Sequence, residues 1–160
     1  MAQTLDETDV FLLNELQTDA DRPNVELARL AGLSPAATLN RVRRLKESGV
    51  IAGIHAKLDR EQAGFTLCVY VTVTLGRHEE AAERRFEQVV GELPQVTAAA
   101  WVAGETDALL AVNTRDLAEL QEVLMRLSTR GGAQRVVTLL RLRELKPDSP
   151  LPLGAPRRLR

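Results

Sequence analysis

Apolar residues near the N-terminus fall at Val10, Leu12, Leu13 and Leu16, a spacing that gathers them on one side of a helix over residues 6–16, with Thr8 or Asp9 placed to cap it. The polar run Thr18-Asp19-Ala20-Asp21-Arg22-Pro23 breaks that pattern. Asn24 then reads as the cap of a second, short helix whose Val25, Leu27, Leu30 and Ala31 face inward. Gly32 ends it, because glycine accepts positive φ without a Cβ clash. Ser34-Pro35 restarts helix: a capping hydroxyl, then proline at the first helical position. This third helix runs to about Ser48, with Gly49 as its stop. Val50 to Leu58 reads as a strand and residues 59–64 as a linker.

Beyond the linker the period changes. Leu67 to Leu75 is β-branched and partly alternating, which predicts a strand. A helix follows over about 79–93, with Ala82, Phe86, Val89 and Val90 inward, and Pro94 stops it. A strand over 96–103, a turn at Gly104-Glu105-Thr106-Asp107 and a paired strand over 108–112 come next. Asp116 can cap a helix bearing Leu117, Leu120, Val123, Leu124 and Leu127; after Gly131-Gly132, residues 136–145 read as a last strand. The order β-α-β-β-α-β predicts a ferredoxin-like sandwich on an antiparallel sheet. The expected fold class is therefore α+β: a winged-type helix-turn-helix over residues 1–60, a linker at 61–65, a ferredoxin-like domain over 66–146, and a flexible, basic, Pro-rich tail over 147–160.

The helices flanking Gly32 carry the most specific motif. A helix-turn-helix needs close packing across a short turn, and Ala28 and Ala31 are small where the helices meet. A helical wheel puts Leu39, Val42 and Leu45 on the buried face, with Leu33 beside them. The opposite face then presents Ala36, Ala37, Asn40, Arg43 and Arg44, with Arg41 at its flank. Small residues in the first turn let the helix end enter the major groove, where Asn and Arg side chains distinguish adenine and guanine edges. Arg43, Arg44, Lys46 and the helix N-terminus at Ser34 are alternatively placed to hold phosphates. An arginine cluster by itself reads first as an ordinary solvated face; the cap, the small first turn and the preceding helix-Gly-helix tip the reading toward double-stranded DNA.

Composition narrows the remaining classes. The net charge of −1 over 160 residues excludes a surface that coats nucleic acid throughout, so any DNA contact must be a local basic patch. Aromatic residues make up only 3%, leaving cores of Leu, Val, Ile and Ala that a second subunit commonly completes. Cys68 is the one cysteine, which rules out an internal disulfide or a cysteine-based metal cluster. The opening MAQTLDETD is acidic and has no apolar core, and no apolar run approaches the roughly 18 residues of a membrane span, so a cytoplasmic protein without cofactor or metal is expected.

The block from Leu5 to Asp59 resembles the leucine-responsive regulatory protein/AsnC family of feast-or-famine transcriptional regulators. Its matching elements are Leu5-Asp6-x-x-Asp9, Glu26-Leu27-Ala28, Gly32-Leu33-Ser34, Arg41-Val-Arg-Arg-Leu45 and Gly49-Val50-Ile51; Gly104-x-x-Asp107 extends the match into the second domain. The resemblance implies homodimers joined through the C-terminal sheets, commonly assembled into octamers. It also implies an amino-acid effector, and by position Trp101, Gly104, Asp107, Leu117, Thr138 and Leu139 fall in the family's effector-response region. Gly104 permits close backbone approach and Asp107 can hold an ammonium group, though the same residues suit a plain hairpin turn. The segment from Leu127 to Val136 departs from the family's usual Leu-Pro-Gly-Val turn.

Two other readings share this layout. One is an architectural protein that wraps DNA without sensing a ligand. The other is an enzyme resembling sirohaem decarboxylases, but His55 and His78 are the only histidines and neither has a second candidate ligand beside it in sequence. A regulator rather than an enzyme is the expected function.

Overall fold

The computed structural model describes residues 4–76 and 79–154, so His78 and the Pro-Arg-Arg-Leu-Arg run of the tail lie outside the described residues. The chain divides into two units, Met1–Lys57 with Lys146–Arg160, and Leu58–Leu145.

The first unit is built on three helices: α1 (Glu7–Thr18), α2 (Asn24–Ala31) and α3 (Pro35–Glu47). Asp6, not Thr8 or Asp9, caps α1: its carboxylate accepts from the Asp9 amide at 2.7 Å while Asp9 accepts from the Asp6 amide, a reciprocal capping box. At α2 the cap position is Pro23, and Asn24 is already helical. The Asn24 side chain is used elsewhere: its amide donates to the Pro35 carbonyl at 2.9 Å, fastening the start of α2 to the start of α3. Gly32 is left-handed at φ 65°, and the Leu33 amide reaches back to the Ala28 carbonyl at 2.9 Å, so the chain leaves α2 in a tight turn. Ser34 caps α3 through the Ala37 amide.

Leu12, Leu27 and Ala31 form the centre of this unit, with Phe11, Leu16, Leu33 and Val42 packed around them. Val25 and Leu30, expected inside, are exposed; the buried face of α2 is Leu27, Ala28 and Ala31. Two alanines bring the helices close, and an eight-residue helix then has no width left to bury the flanking Val25 and Leu30. The strand expected over 50–58 is absent: residues 52–59 are irregular and almost wholly exposed. Hydrophobic alternation there favours an extended backbone, but a strand exists only where a neighbour takes up its amides and carbonyls. The helix-turn-helix therefore carries no wing strand among the described residues.

The tail was expected to be loose. Its described part returns to α1 instead, where Gln17 clamps the Leu151 backbone from both sides and Asn14 donates to the Gly154 carbonyl at 3.1 Å.

The second unit follows the expected order: β1 (Leu67–Leu75), α4 (Glu80–Gly91), β2 (Val96–Trp101), β3 (Ala108–Thr114), α5 (Leu117–Thr129) and β4 (Ala133–Leu140). All ladders are antiparallel and the strand order is β2-β3-β1-β4, with β1 and β3 at the centre. Asp116 caps α5, accepting from the Glu119 amide at 2.8 Å. β4 begins and ends earlier than the expected 136–145, because Gly132 takes the left-handed turn (φ 74°) that returns the chain to the sheet. Alternate residues Val69, Val71, Val73 and Leu75 of β1 join Leu110 and Val112 of β3 under Phe86, Val89, Leu120, Val123 and Leu127 of the two helices. Each such side chain contributes about 1.5–3 kcal/mol on burial, which makes the helix-covered face the stability centre of the unit.

Candidate DNA-reading face and effector region

The recognition helix α3 is rotated from the sequence expectation. Leu39 is 48% exposed, whereas Thr38 is fully buried. Thr38 tolerates this because its hydroxyl donates to the Ser34 carbonyl at 3.1 Å, leaving its methyl free to pack. The inward face thus runs Thr38, Val42 and Leu45, at the spacing of one helix side. Ala36, Leu39, Asn40 and Arg43 fall together on the outward face, with Ala37 partly covered. Lys46 and the capping residue Ser34 are exposed as well.

Arg41 and Arg44 are engaged within the unit. Arg44 Nη2 donates to both Asp9 oxygens, at 2.8 and 2.7 Å, and Arg41 Nη1 donates to Asp9 at 2.9 Å and to Asp6 at 2.6 Å. Asp9 is only 1% exposed, so two guanidinium groups from α3 neutralise a carboxylate buried on α1. Burial alone would make Asp6 harder to ionise, but the Arg41 hydrogen bond, the Asp9 amide and the two arginine charges outweigh it and hold its carboxyl below the usual range. The Asp6 hydrogen bond correspondingly raises Arg41, against the opposing effect of burial. Sequence reading treated Asp9 as a cap candidate and both arginines as contact residues. The overlooked signal was the spacing Asp6-x-x-Asp9 paired with Arg41-x-x-Arg44, two acids and two bases each one helical turn apart.

In the second unit the effector candidates separate. Trp101 ends β2 and is 43% exposed; its indole N–H donates to Glu87 at 2.9 Å, and its ring leans on Phe86 with centroids 5.6 Å apart. Asp107 immediately precedes the return strand β3. Its Oδ2 accepts from the Leu75 amide at 2.7 Å and its own amide donates to the Val73 carbonyl at 2.9 Å, so it ties the hairpin to the end of β1. Gly104 sits in the loop between them at φ 147°, a conformation that side chains rarely adopt. Trp101 and Asp107, with Leu75, Glu83 and Val102, line a concavity of about 230 Å³. Leu117 is exposed in the first turn of α5, beyond the opposite end of β3, and does not join them. Thr138 and Leu139 lie on β4, opposite Val71 and Tyr70 of β1, and are likewise apart from that concavity.

Leu139 belongs instead to the sheet face that no helix covers. Facing partners in the ladders share a side, so Tyr70 groups with Ala111 and Leu139, and Thr72 with Leu109 and Val137. Ala100 extends the same surface across from Leu109. Tyr70, Leu109 and Leu139 are all exposed, which makes this an open apolar patch.

A helix-turn-helix with an outward Ala-Leu-Asn-Arg stripe, joined to a ferredoxin-like domain with one bare face, is the build of a DNA-binding regulator. The comparisons with known proteins agree. Residues 5–46 match the model of the AsnC-type helix-turn-helix domain, and residues 68–151 that of the Lrp/AsnC ligand binding domain. The chain is 36% identical over 143 residues to the leucine-responsive regulatory protein of Rhizobium meliloti, covering 89% of this chain and 92% of the relative. The protein of that name from Escherichia coli K12 is 35% identical over 151 residues, 92% of this chain and 90% of the relative. Among solved structures, an L-Met complex of a transcriptional regulator from Neisseria meningitidis superposes with a TM-score of 0.87 at 32% identity, covering 94% of this chain and 98% of that one. The chain belongs to the Lrp/AsnC family of transcriptional regulators. Its relatives bear the names of regulators, including a proline dehydrogenase transcriptional activator of Rhodobacter capsulatus, 36% identical over 124 residues, 78% of this chain and 80% of the relative. Among the described residues no helix is long and apolar enough to cross a membrane, and no group of three His, Cys, Asp or Glu is placed to hold a metal ion.

Proposed function

We propose that this regulator reads DNA with the outward stripe of α3 and responds to an amino acid bound near the Trp101–Asp107 hairpin. The observation that carries the first half is the exposure pattern of α3. Ala36 leaves room for close approach, Leu39 can contact a thymine methyl, and Asn40 and Arg43 offer forked donors to base edges. Ser34 and Ala37 mark the helix end, where the partial positive charge of the helix suits a phosphate, and Lys46 adds a backbone contact. Arg41 and Arg44 serve the same contact indirectly, by setting the helix through Asp9; Arg44 keeps half of its side chain exposed and can face a phosphate as well.

For the second half, the match to a ligand-binding domain and the L-Met complex of the Neisseria meningitidis relative support an amino acid as effector. Trp101 provides an apolar wall, Glu83 and Asp107 provide carboxylates for an ammonium group, and Gly104 lets the loop backbone approach. The bare sheet face with Tyr70, Leu109 and Leu139 supports a homodimer formed by sheet on sheet, and further assembly to an octamer rests on the family resemblance alone.

A single experiment addresses both halves: selection of duplexes from a random pool by the purified protein, with and without each amino acid, L-Met included. Enrichment of one motif whose recovery changes with one or a few amino acids is the expected result. Enrichment of a motif indifferent to every amino acid leaves the DNA reading standing and overturns the effector reading. Recovery of bent sequences without a motif favours an architectural role instead.

A further inference from the structure

The DNA-binding unit is completed from the far end of the chain. A unit of about 60 residues buries too small a share of its surface to hold three helices firmly by core packing alone, and the centre of this one is Leu12, Leu27 and Ala31. The segment that begins at Lys146 adds to it. Gln17 of α1 places both ends of its amide on one residue: Oε1 accepts from the Leu151 amide at 2.7 Å and Nε2 donates to the Leu151 carbonyl at 3.3 Å. One turn earlier on α1, Asn14 donates to the Gly154 carbonyl at 3.1 Å. Of the described residues beyond Arg141, only Leu153, between these two anchors, is drawn partly out of solvent. Pro147, Pro150 and Pro152 restrict the segment beforehand, which lowers the entropy lost when it docks.

α1 is also the helix that orients α3. Asp9 takes Arg41 and Arg44 on one side of α1. By helical spacing Val10, Leu13, Asn14 and Gln17 form a neighbouring flank, the one that receives the tail. A roll of α1 moves Asp9, and a carboxylate only 1% exposed keeps both guanidinium partners only if α3 follows. Resting on the DNA-binding reading above, we propose that Asn14 and Gln17 are positioning residues for DNA reading. By docking residues 151–154 they fix the setting of α1, and through Asp9 that of the outward stripe Ala36, Leu39, Asn40 and Arg43. Neither residue needs to touch the duplex; both act through α1.

The test is a double-mutant cycle on the full chain. Fluorescence anisotropy reads the affinity ratio between a duplex carrying the enriched motif and the same duplex with that motif shuffled. Gln17→Ala removes the clamp from α1, and Leu151→Pro removes the amide that Gln17 accepts, at a side chain 69% exposed. Each is expected to lower the ratio about three- to tenfold, the scale of one net hydrogen bond. The double variant should fall no further than either alone, because two halves of one contact do not add. Gln17→Glu keeps the acceptor of the shorter bond and should recover most of the ratio. Amide hydrogen exchange should rise in α1 and α3 of both single variants and not in β1. A wild-type ratio in both single variants overturns the proposal, as do losses that add in the double variant. A lower melting temperature with a wild-type ratio overturns it too, since the segment then braces the unit without setting α3. Arg43→Ala keeps the two readings apart: a loss there with none in the clamp variants leaves the DNA reading standing and sinks the clamp alone, whereas no loss there removes the DNA reading on which the proposal rests.

Discussion

Arg44 of α3 donates through one nitrogen to both oxygens of Asp9 on α1, at 2.8 and 2.7 Å, while Asp9 is 1% exposed and Arg44 keeps half of its side chain in solvent. The asymmetry sets what each substitution does. Arg41→Ala/Arg44→Ala strands a buried carboxylate and is expected to destabilise the N-terminal unit by about 3–5 kcal/mol, the range for breaking a buried pair from one side. Asp9→Asn releases two arginines that can hydrate, and should cost less, about 1–3 kcal/mol. Urea unfolding followed by circular dichroism ranks them; an Asp9→Asn loss larger than the double-arginine loss contradicts this asymmetry.

Leu39 gives the cleanest test of the α3 rotation. Leu39→Ala should leave the melting temperature within a degree or two, as expected of a side chain 48% exposed, yet weaken binding to a selected duplex. Asn40→Ala and Arg43→Ala should each relax base preference at one position by about 1–3 kcal/mol, whereas Lys46→Ala should weaken binding more uniformly. If Leu39→Ala unfolds the unit as Leu45→Ala is expected to, the rotated face is wrong.

The uncovered sheet face predicts assembly. A charge at Tyr70 or Leu109, as in Leu109→Glu, should shift the elution of the protein toward the monomer while the far-ultraviolet spectrum is preserved, since neither side chain belongs to the helix-covered core. Unchanged elution would place the subunit interface elsewhere.

Acid should weaken the N-terminal unit in a defined window. The Asp6 carboxyl is held below its ordinary value near 3.8, burial being outweighed by Arg41 and the Asp9 amide. A group depressed in the folded state stabilises it above the unfolded pKa, and that stability is lost as pH falls through the folded value. The urea midpoint is therefore expected to be flat above about pH 5 and to fall below about pH 4, the ordinary Asp range, with Asp6→Asn flattening that limb. A midpoint that rises on acidification has the wrong sign for this mechanism.

Asp107 faces two demands at once. Because its Oδ2 accepts the Leu75 amide, Asp107→Ala is expected to destabilise the C-terminal unit by about 1–3 kcal/mol in addition to any effect on an effector. Thermal denaturation without ligand separates the two: an unchanged melting temperature makes Asp107 a ligand residue alone.

The sequence by itself determined the five helices, the four strands of the sheet and their order, because their signals are local. Gly32 before Ser34-Pro35 states a turn and a helix start within four residues, and the alternation in β1 states which residues share a face. It also carried the family, through motifs dense enough to match over both domains. Only the tertiary structure decided how α3 is turned. Leu39–Val42 and Thr38–Val42 are both valid helix stripes, and one residue is a rotation of about 100°. The choice falls to contacts with α1, where a buried Asp9 draws Arg41 and Arg44 to its side and Thr38 satisfies its own hydroxyl. A carboxylate can be buried only where its partners are, and those partners lie more than thirty residues away along the chain. The same holds for residues 50–58 and for the tail: an extended segment acquires its place from what pairs with it, which hydrophobic patterning does not encode.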